Sequence, residues 1–510
     1  VSQETSLLGI DIGTSAAKLV VFHESGKALA SRTVSYTTQY PQPGYVEQNP
    51  DSWWEAVCVG IREMLAEDGI RPAQIAGIGI DGQGWSAIAM DAQGNVLAPD
   101  PIWLDTRAES ICDELNARIG EDAIFALSGN PLKAQYVTAK ILWLQRNLPQ
   151  AYAKTKWIMQ SNGFIAYRLT GSVSMDLSQA YGLHCFDMKN GRMDPSMCKE
   201  LGIEPGIIPD IVACHKIVGH VHAEAARLTG LLAGTPVVAG GLDAACSTLG
   251  AGVLRAGQTQ EQGGQAGGMS ICIDQYCADK RLILGYHVVP NHWLLQGGTT
   301  GGGGAMRWFE REFADFERRM ALEKGGSSFA FLDALAEKVP AGSEGAVFLP
   351  YLAGERSPIW DSDAQGVYFG LDYSKTRAHM VRALMEGVAF SLKHNLEIAE
   401  SVGAHVETLR ATGGSANSRL WTQIKADVTG KDIEVPESDL ATPLGAALLA
   451  GVGVGVYPDF ETATTRTVHV KRTQTHSVQD ASAYEQGYTI YRMLYEQLKD
   501  IMKQSRRARV

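Results

Sequence analysis

Apolar residues fall into short runs closed by glycine turns, interleaved with longer runs at helical spacing. Leu7–Ile12 and Lys18–Phe22 predict two buried strands joined by a turn at Gly13-Thr14-Ser15. A third strand, Lys27–Tyr36, follows a turn at Glu24-Ser25-Gly26, and Asp51 caps an amphipathic helix through Ala66. Ile75–Asp81 predicts another strand, running into Gly82-Gln83-Gly84-Trp85. Helical spacing dominates residues 108–205, over Ala108–Ile119, Asp122–Leu127, Thr138–Asn147 and Asn162–Leu169. At 236–254 the pattern is strand, glycine turn, small-residue helix: Val237–Ala239, Gly240-Gly241, Ala244–Leu249.

The second half repeats parts of this pattern. Thr259–Ile273 reads as a hairpin around Gly263–Gly268, like the one at the N-terminus, which points to an internal duplication. Six glycines in Gly297–Gly304 precede a helix at Ala305–Phe313 and allow backbone to lie against a ligand. A long helix spans 376–400, capped at Thr376. Leu409–Ser418 is strand and glycine turn, leading to a helix through Thr429. Thr442–Gly451 reads as a buried helix and Ala481–Lys503 as an amphipathic one. The expected units are residues 1–254, 255–480, and a helix and tail at 481–510.

Composition narrows the function classes. The 510 residues, 45% hydrophobic and 20% charged, fit an ordinary globular protein of several domains. A net charge of −11 argues against nucleic acid or an anionic membrane as partner, so the tail Arg506-Arg507-Ala508-Arg509 reads as solvated. Eight scattered cysteines without a Cys-x-x-Cys pair read as reduced thiols in a cytoplasmic protein without a zinc site. Glu4 and Asp11 come too early for a secretory leader, and the longest uncharged stretch, Leu440–Pro458, is too glycine-rich for a membrane span.

The candidate chemistry lies at the turns. Asp243 is the only charged residue between Arg227 and Arg255, at an N-cap position; it either caps the helix or presents a carboxylate to a cleft. Asp11-x-Gly13-Thr14-x-x-x-Lys18 offers N–H groups and hydroxyls to phosphate, Asp11 to Mg²⁺, and Lys18 as a countercharge; an ordinary hairpin turn fits the same residues. Gln83, Trp85, Trp103, Asp105 and Arg107 combine apolar rings with polar groups at strand ends, which suits a small polyhydroxylated ligand. Core tryptophans and a surface ion pair are the alternative reading.

Together these stretches resemble the FGGY family of carbohydrate kinases. The resemblance rests on Asp11-Ile12-Gly13-Thr14, on Gly241-Leu242-Asp243, and on Gly366-Val367-Tyr368-Phe369-Gly370-Leu371 followed by His379-Met380-x-x-Ala383-Leu384-Met385-Glu386-Gly387. Gly413-Gly414-x-x-Asn417 is similar to the family's adenosine motif. Phe348–Arg356 and Ile102–Arg107 are similar to segments of its xylulose-phosphorylating branch. The resemblance implies an α/β protein of actin-like (ribonuclease H-like) fold, two mixed-sheet domains flanking a cleft. It implies ATP-dependent phosphorylation of a primary hydroxyl, with D-xylulose as first choice. Asp243 is the implied catalytic group. Gln83, Gly84, Trp85, Trp103, Asp105 and Asp243 are the implied sugar ligands. Thr14, Lys18, Gly264, Gln265, Gly303, Gly413, Gly414 and Asn417 are the implied ATP ligands, and Asp11 and Asp243 the Mg²⁺ ligands.

Three positions depart from the xylulose branch: Gly84-Trp85 replaces Met-His, Ala244 replaces Asn, and Gly264-Gln265-Ala266 replaces Gly-Thr-Ser. L-xylulose, ribulose, an alditol such as glycerol, and gluconate therefore stay open as acceptors. So does a non-catalytic actin-like sensor, and a homodimer is among the assemblies left open.

Overall fold

The computed structural model describes residues 5–507. Each half of the chain builds one mixed, seven-stranded sheet. In the first, β1 (Ser6–Ile12), β2 (Ala16–His23) and β3 (Ala28–Ser35) form an antiparallel meander. β4 (Ile75–Gly82) lies parallel to β1. β5 (Ile217–His220) and β6 (Pro236–Val238) complete the order β5-β6-β4-β1-β2-β3, with β7 (Gly241–Leu242) beside the end of β4. The central strands are apolar on both faces because both are covered, and Leu8, Ile10, Ile78 and Ile80 are completely buried. Helix α1 (Pro50–Glu67) covers one face. Asn49, not Asp51, caps it: the Asn49 side-chain Oδ1 accepts from Asp51 N–H (3.1 Å), while Asp51 sits in the first turn.

The second sheet contains β8 (Gln258–Gly263), β9 (Gly267–Ile273), β10 (Ile283–Tyr286), β11 (Trp293–Thr299), β12 (Thr408–Thr412), β13 (Asp432–Pro436) and β14 (Val470–Gln474). Its order is β10-β11-β9-β8-β12-β13-β14. From β11 to β14 the pairings run antiparallel, antiparallel, parallel, parallel, antiparallel. From β3 to β5 the first sheet gives the same series. The duplication suggested by two glycine hairpins is thus a duplication of topology.

Two small-residue helices join the halves. α2 (Asp243–Gly250) follows β7 directly. Helices α3 (Gly303–Phe313), α4 (Arg377–Ser401) and α5 (Arg419–Thr429) belong to the second half, as does α6 (Ala441–Gly453). Yet α6 lies on the first sheet: a Cβ on Gly9 would fall 2.0 Å from Pro443 O, and one on Gly79 1.8 Å from Ala446 O. α2 and α6 cross as closely. A Cβ on Gly250 would fall 1.8 Å from Ala441 O, and one on Gly445 1.9 Å from Cys246 O. Backbone meets backbone at these points, and only glycine fits.

Other boundaries shift modestly. The helical stretch 108–205 is interrupted by short strands, among them Trp157–Met159 paired with Ile88–Met90. The last helix, α7 (Ala481–Arg507), runs past Lys503. Arg506 is exposed, as expected of a solvated tail, and it also donates to Ser362 O and stands 4.0 Å from Asp363, while Ala508 and Arg509 lie outside the described residues. No described helix is long and apolar enough to cross a membrane.

The α6 contact generates a stability prediction. Gly79→Ala forces a methyl against a backbone carbonyl, an overpacking that costs about 1–3 kcal/mol or more. Thermal unfolding should show a clearly lowered Tm, with turnover reduced because Asp81 lies two residues on. Gly206→Ala, where the nearest atom is a flexible Glu204 oxygen at 3.7 Å, should leave Tm unchanged. Equal Tm values for the two variants would contradict the close crossing.

Candidate active site

The strand order places three carboxylates together. Asp11 ends β1 and Asp81 ends β4, and parallel pairing sets them side by side. β7 pairs Gly241 with Asp81, so Asp243, two residues on, joins them at the start of α2. Asp243 is the first residue inside that helix; Leu242 occupies the N-cap, with no side-chain cap bond. The Asp243 carboxylate accepts only from its neighbour Ala244 N–H (2.6 Å), so it does not do the work of a cap.

Crowding and burial make these acids unusual. Burial and the Asp11 charge push Asp243 up to about 7, although it keeps some contact with solvent. Burial lifts Asp11 to about 6, against contacts with Asp81 and Lys18 that favour its charge. Asp81 is held well above the usual carboxylate range by burial and by the charges of Asp11 and Asp243. Both its oxygens are buried without a hydrogen-bond partner. The donor set is hard oxygen with orphaned acceptors, which suits Mg²⁺. That ion commonly takes one or two carboxylates and completes its octahedron with water and phosphate oxygens. The described residues hold no cluster of three or more acid, His or Cys groups able to cage a metal, so a cation here depends on such additional oxygens.

The first glycine turn lies beside the acids. Lys18, on β2, is the register partner of Asp11. Thr14 Oγ1 accepts from Trp103 Nε1 (2.9 Å), which leaves the Thr14 O–H free to donate to phosphate. Thr14 O accepts from Gln48 Nε2 (2.6 Å).

That amide belongs to a chain that orients Gln83. The Trp53 indole can only donate, and it donates to Gln48 Oε1 (3.1 Å). Gln83 Nε2 donates to the same oxygen (2.9 Å). Gln83 Oε1 is left as an unpartnered acceptor.

Trp85 has a left-handed backbone (φ 63), rare for a bulky residue. Its carbonyl accepts from the buried Lys140 Nζ (2.5 Å), and its ring packs on Tyr136 and Tyr181 with centroids 4.5 and 5.7 Å away. Its indole N–H is buried and unpartnered. Gly84 is glycine for a local reason: a Cβ there would meet Leu242 Cδ1 at 2.8 Å and the Tyr181 hydroxyl at 3.0 Å. The aromatic cluster therefore occupies the space in which Gly84-Trp85 departs from Met-His.

Asp105 corrects the expectation of a sugar ligand. It is completely buried, and its oxygens accept from Val46 N–H (2.7 Å) and from Arg107 N–H and Nε (3.0 and 2.9 Å). Arg107 in turn reaches Glu47 (2.7 Å) and lies over Tyr45, 3.9 Å from the ring centre. Both residues brace the wall that carries Trp103.

On the other side of the cleft, three glycine turns converge. A Cβ on Gly303 would fall 2.7 Å from Gly264 O, and one on Gly413 2.9 Å from Gly263 C. They border a cavity of about 400 Å³ lined by Gly264, Gly303, Gly414 and Asn417, with Arg307, Phe329, Asp333 and Trp421 among its other walls. Apolar faces with a polar rim suit a purine nucleoside. Gln265 does not line it. Its backbone carbonyl accepts from Gly304 N–H (2.9 Å) and its amide oxygen from Arg307 (2.5 Å), so Gln265 positions a cation. Beneath the turn, Lys425 binds Glu261 (2.6 Å) and Ser415 (2.9 Å).

Asp81, Gln48 and Arg307 are functional candidates that sequence reasoning passed over. For Asp81 a signal existed: Gly9-Ile10-Asp11 and Gly79-Ile80-Asp81 are identical triplets, and they pair in register.

The duplicated sheets, the acids at the cleft and the glycine-walled cavity define an ATP-dependent kinase of actin-like fold. Residues 6–250 match the FGGY family of carbohydrate kinases, N-terminal domain, and residues 274–454 its C-terminal domain. The chain belongs to this family. It is 29% identical to a xylulose kinase of Bacillus subtilis over 97% of both chains. It is 30% identical to a gluconokinase of Bacillus licheniformis over 94% of this chain and 93% of that one. The crystal structure of a xylulose kinase from Rhodospirillum rubrum superposes with a TM-score of 0.87 at 30% identity, covering 98% of this chain and 100% of that one.

Two predictions follow from the charges. The raised acids hold protons that the unfolded chain has released, so between pH 3.8 and about 7 native stability falls as pH rises through the Asp243 window. Asp243→Asn removes that cost. In EDTA, without nucleotide, it should raise Tm at pH 8, and the gain should shrink as pH falls toward 4; a gain independent of pH would contradict the electrostatic account. Arg307→Ala should weaken ATP about 10- to 100-fold, the loss of one charge-assisted contact, and leave sugar affinity unchanged. Calorimetric titration with each ligand checks this.

Proposed function

We propose that the enzyme phosphorylates a primary hydroxyl of a ketopentose, D-xylulose first, and yields the 5-phosphate. The supporting observation is a set of polar groups with spare capacity in the first half of the chain: Gln83 Oε1 and Trp85 Nε1 have no partner, and the Asp243 carboxylate accepts only from Ala244 N–H. Trp103, bonded to Thr14 of the first glycine turn, adds an apolar ring. A small polyol satisfies such a set with its hydroxyls. The xylulose kinase relatives support the choice of sugar; the gluconokinase at comparable identity supports a sugar acid as the second reading.

In this reading Asp243 orients the acceptor hydroxyl. The hydroxyl oxygen forms a bond to the γ-phosphorus as the bond to the β–γ bridging oxygen breaks. The hydroxyl proton passes to Asp243, and ADP leaves. A loose transition state needs orientation and late proton uptake more than a strong base, and a carboxylate raised toward neutrality is matched to both. Mg²⁺, when bound, neutralises charge on the β- and γ-phosphates; Asp11 and Asp81 would hold it, with Asp243 adjacent. Thr14 donates its hydroxyl to phosphate and Lys18 adds positive charge. The glycine turns at Gly264, Gly303 and Gly413-Gly414, with Asn417, hold the nucleotide. Eight free cysteines, seven of them buried, suit a reducing cytoplasm.

An ADP-release assay over D-xylulose, L-xylulose, ribulose, glycerol and gluconate tests the reading. D-Xylulose should give the highest kcat/KM, and Asp243→Ala should lower kcat ~10²-fold or more. A preference for gluconate would move the reading to a sugar acid. Nucleotide binding without turnover on any acceptor would make the protein a sensor.

A further inference from the structure

Arg356 is a cation that the site described so far does not use. Its loop docks on the end of β11. Thr300 N–H donates to Glu355 Oε1 (2.7 Å), Ser357 N–H to Gly298 O (2.9 Å), and the Thr300 hydroxyl to Gly354 O. The docked loop lays the guanidinium over Gly298, where a Cβ would fall 2.9 Å from Nη2 and 3.0 Å from Cζ. Gly298 pairs with Gly268, and Thr299 with Gly267, at the returning edge of the second glycine turn. Across the cleft the same guanidinium stands 6.0 Å from the Trp103 ring, and Trp103 donates to Thr14 of the first turn. Arg356 therefore sits between the two turns.

Its charge is unbalanced. Among the described residues, no carboxylate lies within ion-pair distance of the guanidinium, and its one side-chain hydrogen bond is a 3.4 Å contact to Thr299 O. The adjacent Glu355 makes no hydrogen bond to the guanidinium: its Oε1 is taken by Thr300 and Arg356 backbone N–H groups, and its charge offsets only part of the burial cost on Arg356. A guanidinium carries five donors in a rigid fork. Leaving most of them unused in a largely enclosed position is costly unless a ligand brings the countercharge.

We propose that Arg356 binds the transferred phosphoryl group, first as the γ-phosphate of ATP and then as the phosphate of the product. The proposal rests on the kinase activity and not on which sugar is the acceptor. The fork matches two peripheral oxygens of a phosphoryl group. Arg356 makes and breaks no bond: the oxygen–phosphorus exchange runs between sugar and ADP, and the proton goes to Asp243. This placement also accounts for the second turn's lack of hydroxyls at Gln265 and Ala266, since a cation between the turns supplies the missing donors.

The test uses the full chain, its best acceptor sugar, and the sugar phosphate that the wild-type enzyme makes from it. Wild-type turnover is measured first, so a failure of the kinase reading shows there. Arg356→Gln should lower kcat by about 10²-fold or more, as loss of a donor to a charged transition state does. Calorimetry should find the unphosphorylated sugar bound within about threefold of wild type and the sugar phosphate weakened about tenfold or more. Arg356→Lys should recover part of both losses, because it keeps the charge without the fork. Retained sugar affinity also shows that the variants are folded. If Arg356→Gln unfolds, Arg356→Lys alone decides, by the same comparison of sugar with sugar phosphate. Unchanged kcat, or equal losses for sugar and sugar phosphate, overturns the proposal. So does a loss confined to gluconate with turnover of neutral sugars intact, which would make Arg356 a receptor for a substrate carboxylate.

Discussion

The meeting of α2 and α6 against β1 and β4 is the constraint on which the rest of the structure depends. Four glycines, Gly9, Gly79, Gly250 and Gly445, remove every side chain from the contact, so carbonyl oxygens approach α-carbons directly. Such contacts have no adjustable rotamers and transmit position without slack. They fix the start of α2 relative to the ends of β1 and β4, and so fix Asp243 relative to Asp11 and Asp81. They also bind a helix from the second half of the chain to the first sheet. The two halves meet at a rigid seam, and the acids lie on that seam.

The seam carries an electrostatic load. Three carboxylates at neighbouring strand ends repel one another, and burial removes the water that would shield them. In the free protein this is destabilising. A divalent cation held by Asp11 and Asp81, as proposed above, would reverse that sign, because the cation's charge would then dominate. Arg356, on the opposite wall, carries the complementary imbalance, a guanidinium with no carboxylate at ion-pair distance among the described residues. Acids on one wall and a guanidinium without a carboxylate partner on the other give the two sides of the cleft opposite electrostatic character.

The fold was legible where the signal is local. Glycine turns with apolar flanks marked both hairpins, and α4 begins at Arg377 behind the Thr376 cap as read, with His379 completing a capping box. The site was legible in part for the same reason: Asp11, Thr14, Gly264 and Gly414 lie in or next to turns that any strand reading would find. What was missed depends on distant packing. Asp105 looked like a ligand because its partner Val46 N–H comes from a loop far earlier in the chain. Asp243 was read as the candidate catalytic group, with a cap as the alternative because strand and helix meet there; only the β7 pairing moves the helix start by one residue and removes the cap. Arg307 carries no motif. It matters because Gln265, a departure from the family's turn, holds it at the nucleotide cavity.

The duplicated sheets then explain why the two turns diverged. Both hairpins are built as the same device, a glycine turn between antiparallel strands with a parallel strand alongside. In the first half the parallel strands end in acids and the turn keeps Thr14, which suits contact with phosphate and metal at the reacting end of the nucleotide. In the second half β8 ends at Gly263 and the turn packs against Gly303 and Gly413, leaving bare backbone. Bare backbone admits the nucleotide closely, and it frees that turn from having to supply donors of its own. Arg307 and Arg356, held by Gln265 and by the 354–357 loop, stand where such donors are wanted. Identical topology thus yields one turn that handles charge and one that yields space, and the reaction belongs at the cleft between them.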